Sequence, residues 1–240
     1  MPAYANPSDD TRKTVLVTGA SGNLGQAVVK KFLAEQWNVC GTTHGTTSRA
    51  GNQRDKQAVL TPVDLLDENQ TGEYVRSVIE QHHRISAAVL TAGGFAAGKM
   101  ADTTTNDILQ QYQLNFITAY NIARPLFLHM LQQNYGRIFL VGSKPGLAAA
   151  NGKGLIAYSL AKSLIFRLAE LMNQEAKDQN VVVSVIVPGT IDTPQNRQAM
   201  PDADFSKWAS PEAIADIIYV HCTDSLGILR EPVVKVYHNS

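Results

Sequence analysis

The segment that decides the fold is Val17-Thr18-Gly19-Ala20-Ser21-Gly22-Asn23-Leu24-Gly25, a glycine-rich turn between two regular elements. Before it, the apolar run Thr14–Thr18 is typical of a strand that is buried on both faces of a sheet. After it, apolar residues recur at helical spacing over residues 24–35. A strand, a glycine turn and a helix in this order predict the first unit of a parallel α/β sheet.

The same alternation of strands and helices continues along the chain. Further strands are predicted at residues 38–42, 58–61, 87–91, 137–141, 181–187 and 233–237. Further helices are predicted at residues 70–82, 106–133, 157–178 and 211–221. Pro125 predicts a kink or a break in the helix at 106–133. The pattern predicts an α/β protein with a doubly wound, mostly parallel sheet, which forms a single domain at 13–240 after a flexible polar arm at 1–12.

Composition and charge exclude several classes of protein. The 240 residues are 44% hydrophobic, and the 21 Lys and Arg residues balance the 21 Asp and Glu residues. This balance gives no basic field for nucleic acid, and no apolar run is long enough to span a bilayer. Cys40 and Cys222 form no disulfide framework, and the six histidines show no metal-ligand spacing. These features predict a cytoplasmic protein with no metal, nucleic-acid or membrane partner.

The glycines of the first turn suit a nucleotide pyrophosphate. Gly19 permits a tight turn, Gly22 lets a phosphate approach the backbone, and Gly25 lets the helix pack close to the strand. The helix N-terminus adds unpaired N–H groups and a partial positive charge. An isolated match of this kind is more often an ordinary structural turn, so the interpretation depends on residues elsewhere in the chain.

The end of the second predicted strand bears on the choice of nucleotide. An acid at this position would bind the ribose hydroxyls of NAD and repel a 2′-phosphate. The sequence from Gly41 to Arg49 contains no acid, and Thr43, His44 and Arg49 could hold a phosphate. This composition favours NADP(H). An ordinary polar loop would read the same way, so NAD(H) stays the alternative.

Four further residues carry acid–base chemistry. Tyr158 and Lys162 are separated by one helical turn, which places the phenol and the ammonium on one face of a helix. Such a pair alone is most often a solvated surface pair. However, Ser143 follows the fifth strand and Asn115 lies in the preceding helix. Because the ligand crevice of an open α/β sheet lies beyond the carboxyl ends of its strands, these signals are expected to converge there.

Taken together, these residues resemble the short-chain dehydrogenase/reductase family over residues 14–237. The resemblance implies a Rossmann-type sheet and hydride transfer to or from NAD(P). It implies a catalytic tetrad of Asn115, Ser143, Tyr158 and Lys162. The residues expected to contact the cofactor are Gly19, Ser21, Gly22, Asn23, Leu24, Gly25, Thr43, His44, Arg49, Asp64, Leu65, Ala92, Gly93, Pro188, Gly189, Ile191 and Thr193.

The chain departs from the family pattern at three places. Asn23 stands where the commonest pattern has glycine, and Thr91 stands where the family has asparagine after the fourth strand. Asparagine tolerates a left-handed backbone, so the turn can survive the first change. The interval between Ser143 and Tyr158 is also longer than the usual spacing.

A narrower likeness concerns the substrate. Three segments look like the corresponding parts of dihydropteridine reductases: residues 92–98, Ile191-Asp192-Thr193-Pro194-Gln195-Asn196-Arg197, and residues 200–208. The likeness implies reduction of a quinonoid dihydropteridine under a loop at about 190–210, with Phe95 and Trp208 against a flat ring. Those reductases usually carry an acid where Thr43 stands and favour NADH, and they often have alanine where Ser143 stands. A reductase of another carbonyl or quinone is the alternative, and a non-catalytic nucleotide-sensing module is a third reading.

The resemblance also implies a mechanism and an assembly. Tyr158 would donate a proton to the reduced substrate, and Lys162 would lower the pKa of the phenol. Ser143 would hydrogen-bond the reacting atom, and Asn115 would hold a water that relays protons to Lys162. In the family the helices predicted at 106–133 and 157–178 pack against a second subunit, which implies a homodimer or homotetramer. The sequence alone also permits a monomer.

Overall fold

The structure is a computed structural model that describes residues 12–45, 58–223 and 229–238. The arm predicted at 1–12 lies outside the described residues except for Arg12, and Arg49 lies outside them as well. The statements below concern the described parts of the chain.

Seven parallel strands form one sheet in the order β3-β2-β1-β4-β5-β6-β7. Their bounds are β1 Thr14–Thr18, β2 Asn38–Thr43, β3 Ala58–Pro62, β4 Ala87–Leu90, β5 Gly136–Val141, β6 Val181–Pro188 and β7 Val233–Val236. Every residue of β1, β2, β4 and β6 is buried, which agrees with their apolar runs. The predicted α/β class and the parallel, Rossmann-type sheet are therefore confirmed.

Helices cover both faces of the sheet. Their bounds are α1 Asn23–Ala34, α2 Glu68–His82, α3 Thr105–Tyr112, α4 Thr118–Gln132, α5 Lys144–Leu147, α6 Ile156–Glu175, α7 Pro194–Ala199 and α8 Pro211–Val220. On one face, Leu16 of β1 packs in a core with residues of α2, α4 and α6. Val15 and Val17 point the other way, into a core formed with α1 and α8. The result is a three-layer arrangement.

The long helix predicted at 106–133 is interrupted, although not where the sequence suggested. α4 continues through Pro125, and the irregularity is a π-helix at Gln113–Ile117 between α3 and α4. The predicted break at Pro125 is therefore wrong. Ile122 and Leu126 are fully buried on either side of the proline, and their packing on the sheet offsets the cost of about 3 kcal/mol that proline imposes.

The strand order sets the position of the ligand crevice. The chain leaves β1 and winds through β2 and β3 in one direction, and then continues from β4 to β7 in the other. The reversal lies between β1 and β4, where loops on the two sides diverge and leave an opening beyond the strand ends. Among the described helices, none is both long enough and apolar enough to cross a bilayer.

Candidate active site

A cleft of about 450 Å³ opens at the carboxyl ends of β1, β2 and β4. Most residues that were expected to contact the cofactor line it: Gly19, Ser21, Gly22, Asn23, Leu24, Gly25, Thr43, His44, Asp64, Leu65, Ala92 and Gly93. A larger concavity of about 850 Å³ lies at the opposite, amino end of β6, and another of about 700 Å³ lies beside α1 and α8. The topological switch point favours the smaller cleft as the nucleotide site.

The glycine turn has the geometry that its sequence predicts. Gly19 has a φ of +60°, a conformation that favours glycine. A Cβ atom added at Gly25 would lie 2.1 Å from the carbonyl oxygen of Gly19, so any side chain there would separate α1 from β1. Among the described residues, no side chain caps α1, and Gly22 occupies the cap position. The first N–H groups of the helix are therefore left available to an anion.

The end of β2 presents polar groups and no acid to the cleft. Thr43 is buried, and its Oγ1 atom has no hydrogen-bond partner within the described part of the chain. His44 follows it, is exposed and also lines the cleft. Asp64 contributes from the turn after β3, where its carboxylate accepts a hydrogen bond from the Leu66 amide at 2.9 Å. The Thr43 hydroxyl can therefore hydrogen-bond a ligand that enters the cleft.

Lys162 is buried next to the cleft, with only 6% of its surface exposed. Its Nζ atom donates a hydrogen bond to the carbonyl oxygen of Val141, at the end of β5, at 2.8 Å. Burial lowers the pKa of the lysine to about 8, because the charged form loses its hydration. The ammonium still dominates at neutral pH, and it is held at a fixed point near the strand ends.

Tyr158 lies one turn earlier on α6, with Lys162 Nζ 6.0 Å from the centre of its ring. Burial raises the pKa of Tyr158, and a hydrogen bond with Ser143 opposes that shift. Without cofactor the net shift of this pKa is upward, because loss of hydration around the phenolate is the largest effect. The lowering expected from Lys162 and oxidised nicotinamide together stays a prediction for the enzyme with cofactor bound. The phenol keeps its proton at neutral pH.

Ser143 reaches Tyr158 although the interval between them is longer than usual. Its hydroxyl caps α5 by accepting a hydrogen bond from the Gly146 amide at 3.1 Å. The interval contains the short helix α5 and a 3₁₀ turn at Ala149–Asn151 before α6 begins. With these elements in the interval, the Ser143 side chain still lies within hydrogen-bond distance of the Tyr158 phenol.

Asn115 lies in the π-helix and is 1% exposed. Its Oδ1 atom accepts a hydrogen bond from the Gly94 amide at 3.2 Å, and its Nδ2 atom donates to Gln111. A Cβ atom added at Gly93 would lie 2.8 Å from Asn115 Oδ1 and 3.5 Å from Lys162 Nζ. Gly93 therefore connects the cleft, which it lines, with the cluster of acid–base residues.

The predicted cofactor residues at the end of β6 and in the loop after it are not among the residues that line the cleft, but this loop contacts the cleft through Gln195, which accepts a hydrogen bond from Asn23 at 2.9 Å. Gly189 continues the sheet by donating its amide to Val236 at 2.9 Å, directly after Pro188. Ile191 pairs with Ala209, which closes the base of a loop. Thr193 caps α7 by accepting a hydrogen bond from the Asn196 amide at 3.1 Å.

Comparison with known proteins identifies the family. A family model described as short chain dehydrogenase matches residues 13–204, well over half of the chain. The chain belongs to the short-chain dehydrogenase family. This short-chain dehydrogenase is therefore an NAD(P)-dependent oxidoreductase that acts on a small molecule.

Individual relatives of this dehydrogenase are distant. The uncharacterized oxidoreductase YmfI of Bacillus subtilis (strain 168) is 24% identical over 239 residues, covering 93% of this chain and 97% of that protein. The dihydropteridine reductase of Dictyostelium discoideum is 26% identical over 220 residues, covering 89% of each protein. The solved structure of ElxO with NADP bound has a TM-score of 0.86 at 20% identity and covers 94% of this chain and 97% of its own. At that identity the last similarity establishes the fold.

The cleft of this dehydrogenase fits the nicotinamide dinucleotide that its family uses. The uncapped N-terminus of α1 suits a pyrophosphate, and the absence of a Cβ at Gly93 leaves backbone exposed beside Lys162. The unpaired Thr43 hydroxyl suits a group on the adenosine side. These features involve separate elements of the fold, so one extended ligand would satisfy them together.

The two aromatic residues expected near the substrate have different environments. Phe95 is 66% exposed, and its ring meets that of Tyr158 edge-on, with 5.0 Å between centroids. Trp208 is 9% exposed and packs against Phe205 at 4.7 Å, within the loop at 190–210. Phe95 thus offers an open ring face next to the phenol, while Trp208 contributes to the packing of the loop.

Hydrogen bonds and an ion pair within the loop at 190–210 account for several of the polar residues at 192–197. Arg197 forms a two-point ion pair with Asp192 at 2.6 and 2.7 Å and lies over the Phe205 ring. Asn196 donates a hydrogen bond to the Ile191 carbonyl at 2.8 Å. The residues at 191–197 therefore stabilise the conformation of this loop through contacts within the loop itself.

Sequence reasoning missed three buried polar residues among those described at the site: Thr42 and Thr118, which line the cleft, and Gln111, which contacts Asn115. Gln111 is 2% exposed and accepts hydrogen bonds from Asn115. Its only sequence signal was its position, one helical turn before Asn115, which places the two side chains on one helix face.

Proposed function

We propose that this dehydrogenase uses NADPH to reduce a flat, quinonoid dihydropteridine-type compound, with Tyr158 as the proton donor. The observation that carries the proposal is the exposed ring of Phe95 beside the protonated phenol of Tyr158. Aromatic faces stack on flat rings, so this pair would position a bicyclic substrate next to a proton source. The resemblance of the loop at 190–210 to dihydropteridine reductases supports the same class of substrate.

Each residue of the tetrad has a role that follows from its surroundings. The reduced nicotinamide supplies the hydride when it is bound. Tyr158 holds its proton at neutral pH and donates it to the atom that gains negative charge, a step worth roughly 10²–10⁴-fold in rate. Ser143, in contact with the phenol, orients the reacting atom, and the buried Lys162 supplies positive charge nearby. Asn115 holds the loop after β4 in place through the Gly94 amide.

A panel of acceptors tests the substrate class. We expect quinonoid dihydrobiopterin to give a higher kcat/KM than simple ketones, aldehydes and quinones. Phe95→Ala should raise the KM for the pterin by about 2- to 10-fold, because stacking contributes about 0.5–1.5 kcal/mol. The same change should alter the KM for a small aldehyde much less. Leu109→Ala, which removes another exposed apolar side chain, is the matched control.

One observation favours a second candidate function. The hydroxyl of Ser143 contacts Tyr158, an arrangement suited to binding a carbonyl oxygen. A reductase of another carbonyl or quinone would therefore use the same residues. Turnover of ketones or quinones without turnover of the pterin would select this candidate and reject the first.

We infer a preference for NADPH from the end of β2. Wild-type kcat/KM should be at least about tenfold higher with NADPH than with NADH, because a charge-assisted hydrogen bond to a phosphate contributes about 1.5–3 kcal/mol. Thr43→Asp should reverse this preference by repelling the 2′-phosphate. Steady-state kinetics with both nucleotides would measure the ratio.

Thr105→Asp is the control for this substitution, since it adds an acid at the exposed start of α3, where negative charge is well tolerated. It should leave the nucleotide ratio unchanged. Equal or better use of NADH by the wild-type enzyme would contradict the inference.

We also infer that two chains associate through α4 and α6. Each helix carries a stripe of apolar side chains directed away from the sheet: Tyr120, Leu128, Leu160, Leu164 and Leu171. Light scattering should give a mass at least twice that of one chain, and Leu164→Glu should reduce it to that of one chain. Val220→Glu, at an exposed apolar position of α8 on the other face of the sheet, should leave the mass unchanged. A wild-type mass equal to one chain would contradict the association.

A further inference from the structure

Gln111 is the one buried member of a group of three glutamines at positions 110, 111 and 113. Gln110 and Gln113 are exposed, whereas Gln111 is 2% exposed. Burying a polar side chain costs about 1–3 kcal/mol when its hydrogen bonds are not replaced. An apolar residue would fill this helix position at lower cost, so the contacts of Gln111 indicate what the glutamine contributes.

The Gln111 side chain is one of three groups that hold the Asn115 amide. Asn115 Nδ2 donates to Gln111 Oε1 at 3.1 Å and to the Gln111 carbonyl oxygen at 3.2 Å. On the other side, Asn115 Oδ1 accepts from the Gly94 amide at 3.2 Å. A reversed Asn115 amide would place its NH₂ group against the Gly94 N–H and its oxygen against the backbone carbonyl oxygen of Gln111. The surroundings therefore permit one orientation.

In this orientation, Asn115 also holds the Gly93–Gly94 backbone, which lies between the cleft and Lys162. The oxygen of Asn115 holds Gly94, and a Cβ atom added at the adjacent Gly93 would lie 2.8 Å from that oxygen and 3.5 Å from Lys162 Nζ. Asn115 lies within the π-helix at Gln113–Ile117, and π-helical turns recur at functional sites.

We propose that Gln111 is a positioning residue of the acid–base centre. By helping to fix the Asn115 amide, it keeps the Gly93–Gly94 backbone at a constant distance from Lys162. Gly93 lines the cleft, so this contact also keeps the cleft wall in a fixed position relative to the Tyr158 phenol. The inference rests on the proposed roles of Asn115 and Lys162. It adds a residue that touches neither substrate nor cofactor and acts through Asn115.

Gln111→Met tests the proposal, because methionine has a similar length, favours helices and lacks the amide. We expect kcat to fall about 10- to 100-fold, since small misplacements in an active site have effects of this size, while the KM for the nucleotide changes less than about threefold. The melting temperature should not fall. Gln111→Glu retains a side-chain acceptor for Asn115 and should recover most of the lost kcat, and the exposed Gln110→Met should behave as wild type.

A second measurement needs neither cofactor nor turnover. In the cofactor-free protein, the Asn115 side-chain NH₂ protons should exchange with solvent slowly in NMR spectra, more slowly than those of the exposed Asn106. Their signal is assigned by its loss in Asn115→Asp. Gln111→Met should accelerate this exchange at least about tenfold. Fast exchange in the wild type, or unchanged exchange in Gln111→Met, would overturn the proposal even if kcat changed.

The Tyr158→Phe variant, assayed in parallel, separates this inference from the proposed function. Full activity in Tyr158→Phe would reject the proposed site itself. An inactive Tyr158→Phe together with a fully active Gln111→Met would reject only the role of Gln111.

Discussion

Tyr158→Phe is expected to lower kcat by roughly 10²–10⁴-fold, the contribution of a positioned proton donor. The substitution removes one oxygen atom, and phenylalanine preserves the ring that packs against Phe95 at 5.0 Å. Because burial raises the pKa of Tyr158, the wild-type phenol carries the proton that the reduced product needs. The variant should therefore fail at proton transfer while its nucleotide Kd stays within about twofold. Stopped-flow turnover and NADPH fluorescence titration would measure the two quantities.

Tyr135→Phe is the control for this prediction, because it removes a hydroxyl from a ring just before β5, at the amino ends of the strands and away from the cleft. Its kcat should match that of the wild type. Near-normal turnover in Tyr158→Phe would show that another group supplies the proton.

Lys162→Met is expected to lower kcat strongly and to stabilise the fold. Burial lowers the pKa of Lys162 from 10.5 to about 8, so folding at neutral pH includes the cost of burying a charge. The shift corresponds to about 3 kcal/mol, of which about 1 kcal/mol would be offset by loss of the hydrogen bond to Val141. The unfolding free energy should therefore rise by about 2 kcal/mol at pH 7, while kcat falls at least about 100-fold. Urea denaturation and steady-state assays would test both effects.

The pH dependence of this effect has a definite sign. Between pH 8 and 10.5 the unfolded chain binds more protons at this residue than the folded chain does, so the contribution of Lys162 to stability rises with pH. The advantage of Lys162→Met should be largest below pH 8 and should disappear above pH 10.5. If the ammonium is needed for turnover, wild-type kcat should fall as pH rises through about 8.

Lys153→Met is the matched control, since Lys153 is exposed just before α6. It should change neither stability nor turnover by a measurable amount. Equal stability of Lys162→Met and wild type across this pH range would contradict the assigned cost of burial.

The sequence predicted the strands well because their signals are local. The runs at 14–18, 137–141 and 181–187 differ from β1, β5 and β6 by at most one residue at each end, since a strand buried on both faces must be apolar throughout. The short helices α5 and α7 escaped prediction because four and six residues show no helical period. The break predicted at Pro125 is absent, because the packing of α4 on the sheet outweighs the cost of a proline inside a helix.

The sequence alone was enough to predict three features: the succession of strands and helices along the chain, the glycine turn and the Tyr158–Lys162 pair. Together these features were sufficient to predict the family. These features depend on residue type and spacing, which the chain itself specifies. Only the tertiary structure decided that Lys162 is buried, that the pKa of Tyr158 rises and that Gln111 hydrogen-bonds Asn115. Hydration and hydrogen bonding depend on groups brought together from distant parts of the chain, and no local pattern records those neighbours.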